Sequence, residues 1–534
     1  MPPAAFPKLN PVLPAGTLPR PSLARMAALV VAAFLCAAVT AHAQQPGTPS
    51  PIAPAPVDPA IAKALQQVSP DSIQATIAKL VTFNNRSTLS SMETDLPPGT
   101  GIIAASDWIF AEFTRISAAC GNCLEVKCDD FVEPPQAGAA SRIKQPTRLV
   151  NVYAVLKGSD PAQSARRVLV TGHYDSRNTD VFNTHDPAPG ANDDASGVAV
   201  SLECARALTS SGIKFPATIV FVAVAGEEQG LNGSRHLARL ARAEHWDLQA
   251  VLNNDIVGGD TTSGDTLQDK TAVRVFSEGV PGPATIDDLH QLQTVGAESD
   301  SPSRELARAI IGVSATYFHA TDEHPAAAPG RARSQISRLV PAFHPVLVFR
   351  RDRFLRGGDH TSFNLEGFSA VRFTEWRENF NHQHQNVRIA PGTNADGTKG
   401  DVQFGDLIQY DDFGYIANVA RLNAATLATL ALAPGLPQNV RVLTSSVDNN
   451  TILTWEPPTG FPANATYEVV MRDTTAPAWT SVMAVPGHDA TRISIPISKD
   501  NVTFGVRTTD GVHSSQAVYP LATRGATFPT PPVK

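Results

Sequence analysis

At 534 residues the chain is longer than one ordinary domain, and a hydrophobic fraction of 42% is enough for at least one large core. A formal net charge of -7, a pI near 6.1 and the lack of any long Lys or Arg run argue against a nucleic-acid partner. Two folded domains are expected.

Arg20 and Arg25 precede an apolar run from Met26 to Val39, and Ala41-His42-Ala43 is a small-x-small cleavage signal. Residues 1–43 therefore read as a signal peptide, which places the mature protein outside the cytoplasm, secreted or periplasmic, with no stable membrane insertion after cleavage. The run is too short for a comfortable span, a retained anchor being the alternative, and translation starting at Met26 is compatible with the pattern. An oxidising compartment favours bonded cysteines. In CGNCLEVKC the expected bridge is Cys120–Cys128 or Cys123–Cys128, while Cys204 sits in an apolar helical pattern as a buried thiol. A zinc knuckle lacks the second CxxC or His pair that would complete four ligands.

Residues 44–58 are Pro-rich and read as an extended linker without a core. Helical spacing follows at 60–67, at 72–81 and at 106–117, the last with Trp108, Ile109, Phe113 and Ile116 on one side. From Leu149 short β-rich runs take over: LVNVYAVLK, RRVLVTGHYDS, ATIVFVAVAGEE, AVLNNDIVGG and AVRVF, with helical stretches at 195–210 and 231–242 between them. Strands alternating with helices predict an α/β fold with a mostly parallel, twisted sheet sandwiched by helices. Further elements are expected at 305–318, 370–373 and 407–432, and the polar, Pro-rich tract 281–345 reads as loops over a sheet edge. The first folded domain thus spans 59–432 and a linker 433–437. Beyond it, residues 438–534 carry short strands at turn-marked intervals, a small all-β sandwich.

The chemistry gathers at strand ends. His173 closes one apolar run with Asp175 two residues on, Asp193 and Asp194 fill the turn GANDDASG, Glu227 and Glu228 end the core run TIVFVAVA, and Asp255 ends the next in NNDIVGG. Alone, each has an ordinary explanation: a strand end, a helix cap, a solvated acid pair, a loop cap. In this order on successive strands they suit a metal site, because a twisted α/β sheet brings together the carboxyl ends of its strands. Hydrolysis at such a site needs carboxylate and imidazole ligands, one acid able to bridge two ions, and a free acid to move protons.

HYDS, GANDDASG, AGEEQGLNGS, NNDIVGG, GGDHTSF and the His-rich ENFNHQHQ together resemble the co-catalytic di-zinc aminopeptidases, the secreted bacterial leucyl-aminopeptidase type of the Zn-dependent exopeptidase superfamily. The resemblance spans about 60–430. It implies two zinc ions per chain, with His173 and Asp255 on one, Glu228 and a late histidine on the other, and Asp193 bridging both. Glu227 would be the general base and Asp175 the partner of the second His173 nitrogen. Aligning Asn386 with the family's later Asp selects His382 over His384 as the last ligand, and puts Asn381 where the family carries an oxyanion-steadying Tyr. Asp359 and His360 are expected to support the site rather than ligate. The C-terminal segment, with Trp455 in LTWEPP and Tyr467 in YEVVMR, resembles a fibronectin type III module suited to surface or polymer contact, or to spacing.

The expected activity is removal of N-terminal residues from peptides. A carboxypeptidase or dipeptidase of the same fold is the alternative, since a free amine is held by acids and a free carboxylate by arginine, and Arg177, Arg351, Arg353 and Arg356 are on hand. A non-enzymatic binding protein built on a degenerate shell would have lost its base or a ligand, yet Glu227, Glu228 and Asp193 all stand.

Overall fold

A computed structural model describes residues 48–138, 140–318, 343–445 and 447–522. The expected signal peptide and its cleavage signal lie outside these residues, as does part of the tract 281–345. Among the described residues no helix is long and apolar enough to cross a membrane.

The strands in chain order are β1 (Ser50–Pro51), β2 (Leu124–Glu133), β3 (Thr147–Leu156), β4 (Arg166–His173), β5 (Thr218–Val224), β6 (Asp247–Asn254), β7 (Ala272–Ser277), β8 (His344–Val348), β9 (Ala370–Glu375), β10 (Arg388–Thr393) and β11 (Lys399–Phe404). They are followed by β12 (Gln438–Val442), β13 (Thr451–Glu456), β14 (Thr466–Asp473), β15 (Ser481–Val485), β16 (Arg492–Ile495), β17 (Val502–Thr509) and β18 (Leu521–Ala522). One eight-stranded sheet runs β2-β3-β5-β4-β6-β9-β7-β8. Its centre is parallel, β5 with β4, β4 with β6 and β6 with β9, whereas β2 with β3, β3 with β5 and β7 with β9 are antiparallel. The sheet is therefore mixed, with a parallel core.

Period-two alternation sorts the side chains of the central strands. Ile219, Phe221 and Ala223 of β5, with Val168 and Val170 of β4, pack under the helices Gly101–Ala119, Ser196–Ser210 and Phe413–Leu432. Val220, Val222 and Val224, with Leu169, face the helix Asn232–Ala243 and Phe363 on the other side. Every residue of β5 is buried, and after Thr218, whose hydroxyl donates to Ser164 O (2.7 Å), the strand is a continuous apolar run. Gly172 and Gly197 let the helix Ser196–Ser210 lie against β4: a Cβ on Gly172 would come within 2.4 Å of the Gly197 carbonyl carbon.

The cysteine expectation is corrected. The bridge is Cys120–Cys123, their Cα atoms 5.6 Å apart, and Cys128 is an exposed free thiol on β2. The helix ends at Ala119, and Gly121 and Asn122, both with positive φ, turn the chain back so that Cys123 meets Cys120. Cys204 is buried and free, as expected.

The C-terminal segment forms two four-stranded sheets, β1-β15-β14-β17 and β16-β13-β12-β18, around a core that includes Trp455, Tyr467, Val469 and Val506. The Pro-rich tract is thus not wholly a linker, since Ser50 and Pro51 pair with Val482 and Ser481. The described residues form one compact unit. The two parts meet in a buried ion cluster: Arg472 Nη2 donates to both Asp300 oxygens (2.6 and 2.7 Å), Arg308 Nη1 to Asp300 (2.7 Å), and Trp479 Nε1 to Glu305 (2.9 Å).

Candidate metal centre

The carboxyl ends of β4, β5 and β6 deliver the acids and the histidine to one cleft of about 640 Å³, lined by Asp193, Glu227, Glu228 and Asp255 among others. His173 is the last residue of β4, and its Nε2 lies 3.2 Å from Asp193 Oδ1 and 3.9 Å from Asp255 Oδ1. Asp193 turns its second oxygen the other way, 2.9 Å from His384 Nε2, which also stands 2.9 Å from Glu228 Oε1. Two trios of potential ligands result, His173–Glu227–Asp255 and Asp193–Glu228–His384.

The donor set suits zinc. Asp255 Oδ2 is buried without a hydrogen bond to the described residues, and His173 Nε2 and Glu228 Oε1 meet only other members of the two trios. A buried carboxylate oxygen left without a donor is costly unless a cation satisfies it, and nitrogen with carboxylate oxygen is a zinc combination. Burial by itself would depress His173, yet hydrogen bonds to Asp175, Asp193 and Asp255 outweigh it and hold the ring well above its ordinary value. Burial pushes the Glu227 carboxyl well above the carboxylate range; the His173 ring opposes this, and the charges of Asp255, Glu228 and Asp359 add to it.

His382 does not join the cluster, and the register expectation is corrected in favour of His384. His382 Nδ1 donates to Asp260 Oδ2 (2.5 Å), and its ring stacks on Tyr410 at 3.8 Å between centroids. The segment is turned rather than extended: the N–H groups of His382 and Gln383 both reach Asn379 O, and His384 has φ +53°. That turn sends alternate histidines to different neighbours. Asn381 also lies off the cleft lining, its amide directed at Thr393 O, whereas Gln383 lies on it. Asn386 accepts from Thr179 N (3.0 Å) and ties the segment to the loop after β4.

Asp175 does more than face His173. Its Oδ1 lies 3.4 Å from His173 Nδ1 and accepts from Glu227 N (3.2 Å), while its Oδ2 accepts from Glu228 N (3.1 Å) and Thr88 Oγ1 (3.0 Å). One carboxylate therefore fixes the ends of two strands. Asp194 does the same for β4 and β6, accepting from His173 N (3.0 Å), Gly197 N (2.9 Å) and Ile256 N (3.3 Å). Asp359 is fully buried, its carboxyl pushed up to about 7 by burial, and His360 Nε2 is 2.7 Å from Arg351 O; neither belongs to a ligand trio.

Several supporting residues escape sequence reasoning. Arg372, fully buried on β9, donates from Nη2 to Asp255 Oδ1 (2.7 Å). Asp406 accepts the N–H groups of Asn192 (2.8 Å) and Asp193 (2.7 Å) and so sets the turn that carries Asp193. Arg177, which the sequence offered as a carboxylate anchor, instead donates from Nε to Glu228 Oε2 (2.9 Å), with Nη2 2.7 Å from His384 Nδ1. Asp193 and Asp406 are 213 residues apart, and no local pattern announces such a pair.

The model of peptidase family M28 matches residues 151–301, which carry His173, Asp175, Asp193, Glu227, Glu228 and Asp255. A probable zinc metalloprotease of Leptosphaeria maculans is 40% identical over 464 residues, 86% of this chain and 96% of its own length. A probable zinc metalloprotease of Pyricularia oryzae is 44% identical over 449 residues, 83% of this chain and 80% of that protein. Among solved structures, the Legionella pneumophila LapA aminopeptidase has a TM-score of 0.44 at 19% identity, over 70% of this chain and 74% of that one. With its acids and histidines gathered at the strand ends and that degree of identity along most of its length, the chain belongs to the zinc metallopeptidases of family M28.

Proposed function

We propose that the chain is an exported two-zinc exopeptidase that removes N-terminal residues from peptides. The observation that carries the two-metal reading is Asp193, whose oxygens face different histidines, Oδ1 at 3.2 Å from His173 and Oδ2 at 2.9 Å from His384. His173 and Asp255 would hold one zinc, Glu228 and His384 the other, with Asp193 shared. Zinc so held supplies Lewis acidity that polarises the scissile carbonyl and acidifies water.

Glu227 takes the proton of the attacking water and passes it to the leaving amine. It suits that task because it lies on the cleft beside the candidate ligands and Asp175 grips its backbone N–H. Arg372 keeps the Asp255 carboxylate from rotating, and Asp406 holds the backbone of the turn that carries Asp193. Motif order and the resemblance of the six motifs support the aminopeptidase reading. The C-terminal sandwich is read as a fibronectin type III-like module that contacts a surface or polymer.

One observation favours the carboxypeptidase or dipeptidase reading. Arg142, Arg177, Arg353 and Arg356 all line the cleft, while its acids are the candidate ligands and base. Purified protein on free-amine and amino-blocked peptides, with and without chelator, separates the readings. Chelator-sensitive cleavage confined to free-amine peptides is expected. Cleavage of amino-blocked peptides with a free C-terminus would overturn the aminopeptidase reading, and cleavage unaffected by metal removal the zinc mechanism.

A further inference from the structure

The cleft arginines are not equivalent. Arg177 and Arg353 are spent inside the protein: Arg177 on Glu228, Asn178 O and His384, and Arg353 on Asp352, Glu378 and Gly357 O. Their side chains retain only 16% and 9% exposure. Arg356 uses Nη1 alone, on Glu378 Oε2 (2.9 Å), and its side chain is 31% exposed. Its Nε and Nη2 have no acceptor among the described residues. Arg142 likewise uses only Nη1, on Glu228 O.

The turn that carries Arg356 is built to present it. Leu355, beside it, has φ +57° and is 93% exposed, a conformation that a leucine rarely takes without support. The support is ionic: Asp352 is held by Arg353 (3.1 Å) and Arg372 (3.4 Å), and Glu378 by Arg353 (2.8 Å). Phe380, 65% exposed, lies under the Arg356 guanidinium at 5.9 Å. The fixed turn thus offers the cleft one apolar surface and a fork of free N–H donors, and Phe380 adds a second apolar surface beside them. A guanidinium with a free edge matches the planar geometry of a carboxylate.

We infer that Arg356, aided by Arg142, is a carboxylate subsite of the cleft, which selects short peptides by their free C-terminal carboxylate. This rests on the exopeptidase reading. It holds for either direction of attack, because in a dipeptide or tripeptide the C-terminal carboxylate lies within one or two residues of the scissile bond. The same carboxylate chemistry in an acidic side chain is the other source.

The test compares Leu-Leu, Leu-Leu-amide and Leu-Asp-amide on the zinc-loaded full chain and on Arg356→Gln and Arg142→Gln. Leu-Leu is expected to exceed its amide at least tenfold in kcat/KM, the difference residing in KM, and Arg356→Gln to bring the ratio near one. An equal advantage for Leu-Asp-amide keeps the subsite and extends it to acidic side chains. Equal handling of Leu-Leu and its amide by the unaltered protein, or an undiminished ratio in Arg356→Gln, would overturn the inference. Calorimetric binding of both dipeptides to Glu227→Gln reads the preference without turnover. A preference there with no cleavage by the unaltered protein sinks the peptidase reading alone, and equal affinities sink the subsite alone.

Discussion

Replacing His384 by alanine removes the imidazole of the Asp193–Glu228–His384 trio and leaves two carboxylates, whereas His382→Ala touches neither trio. Loss of a partner behind a ligand costs about 10–100-fold in metal affinity, so loss of a direct ligand is expected to cost at least about 100-fold, or ~2.7 kcal/mol. His382→Ala is expected to cost stability instead. It gives up a hydrogen bond to a carboxylate, about 1.5–3 kcal/mol, and a stacked contact with Tyr410, about 0.5–1.5 kcal/mol. The assay is zinc titration against a chromogenic chelator, with elemental analysis after dialysis and chemical denaturation in parallel. The expected pattern is one tightly held zinc in His384→Ala, against two in a destabilised His382→Ala. Two tight ions in His384→Ala with one lost from His382→Ala would refute the assignment drawn from the turn at 379–384.

Glu227→Gln keeps the side-chain shape but cannot accept a proton, so kcat should fall roughly 100-fold or more with zinc content unchanged; single-turnover rates beside metal analysis check this. Arg472→Met leaves Asp300 with Arg308 as its remaining buried cation, and breaking a buried pair costs about 3–5 kcal/mol, which a lowered denaturation midpoint would register. For the same reason truncation after Pro434 should destabilise the peptidase part, by exposing Asp300, Glu305 and Arg308, and proteolysis of the truncated chain reads this out. Glu305 gives the pH dependence: burial, opposed by Arg308, pushes its carboxyl up from 4.5 to about 7. Its contribution is therefore full below pH 4.5 and is lost as pH rises through about 7, and Glu305→Gln should flatten that part of the Tm–pH curve. An identical slope in both proteins would count against it.

Local periodicity and strand ends are what the amino-acid order makes legible here. β5 is an apolar run from Ile219 to Val224, and β4 and β6 carry apolar centres at 168–170 and 250–252, because both faces of the sheet are covered there; the polar residues cluster at or just past their carboxyl ends, at His173, Glu227 and Asp255. Asp193 was legible for the same reason, as an acid in a turn between two such elements. The remainder depends on contacts made in space. His382 and His384 are two residues apart in one polar segment, and the choice between them depends on a turn whose partners are Asn379, Asp260 and Tyr410. Cys123 closes on Cys120 because the chain reverses after the helix end. Arg372, Asp406 and the Asp300–Arg472 cluster join residues 117, 213 and 172 positions apart. A buried charge needs its counterpart in space, and distance along the chain does not enter that requirement.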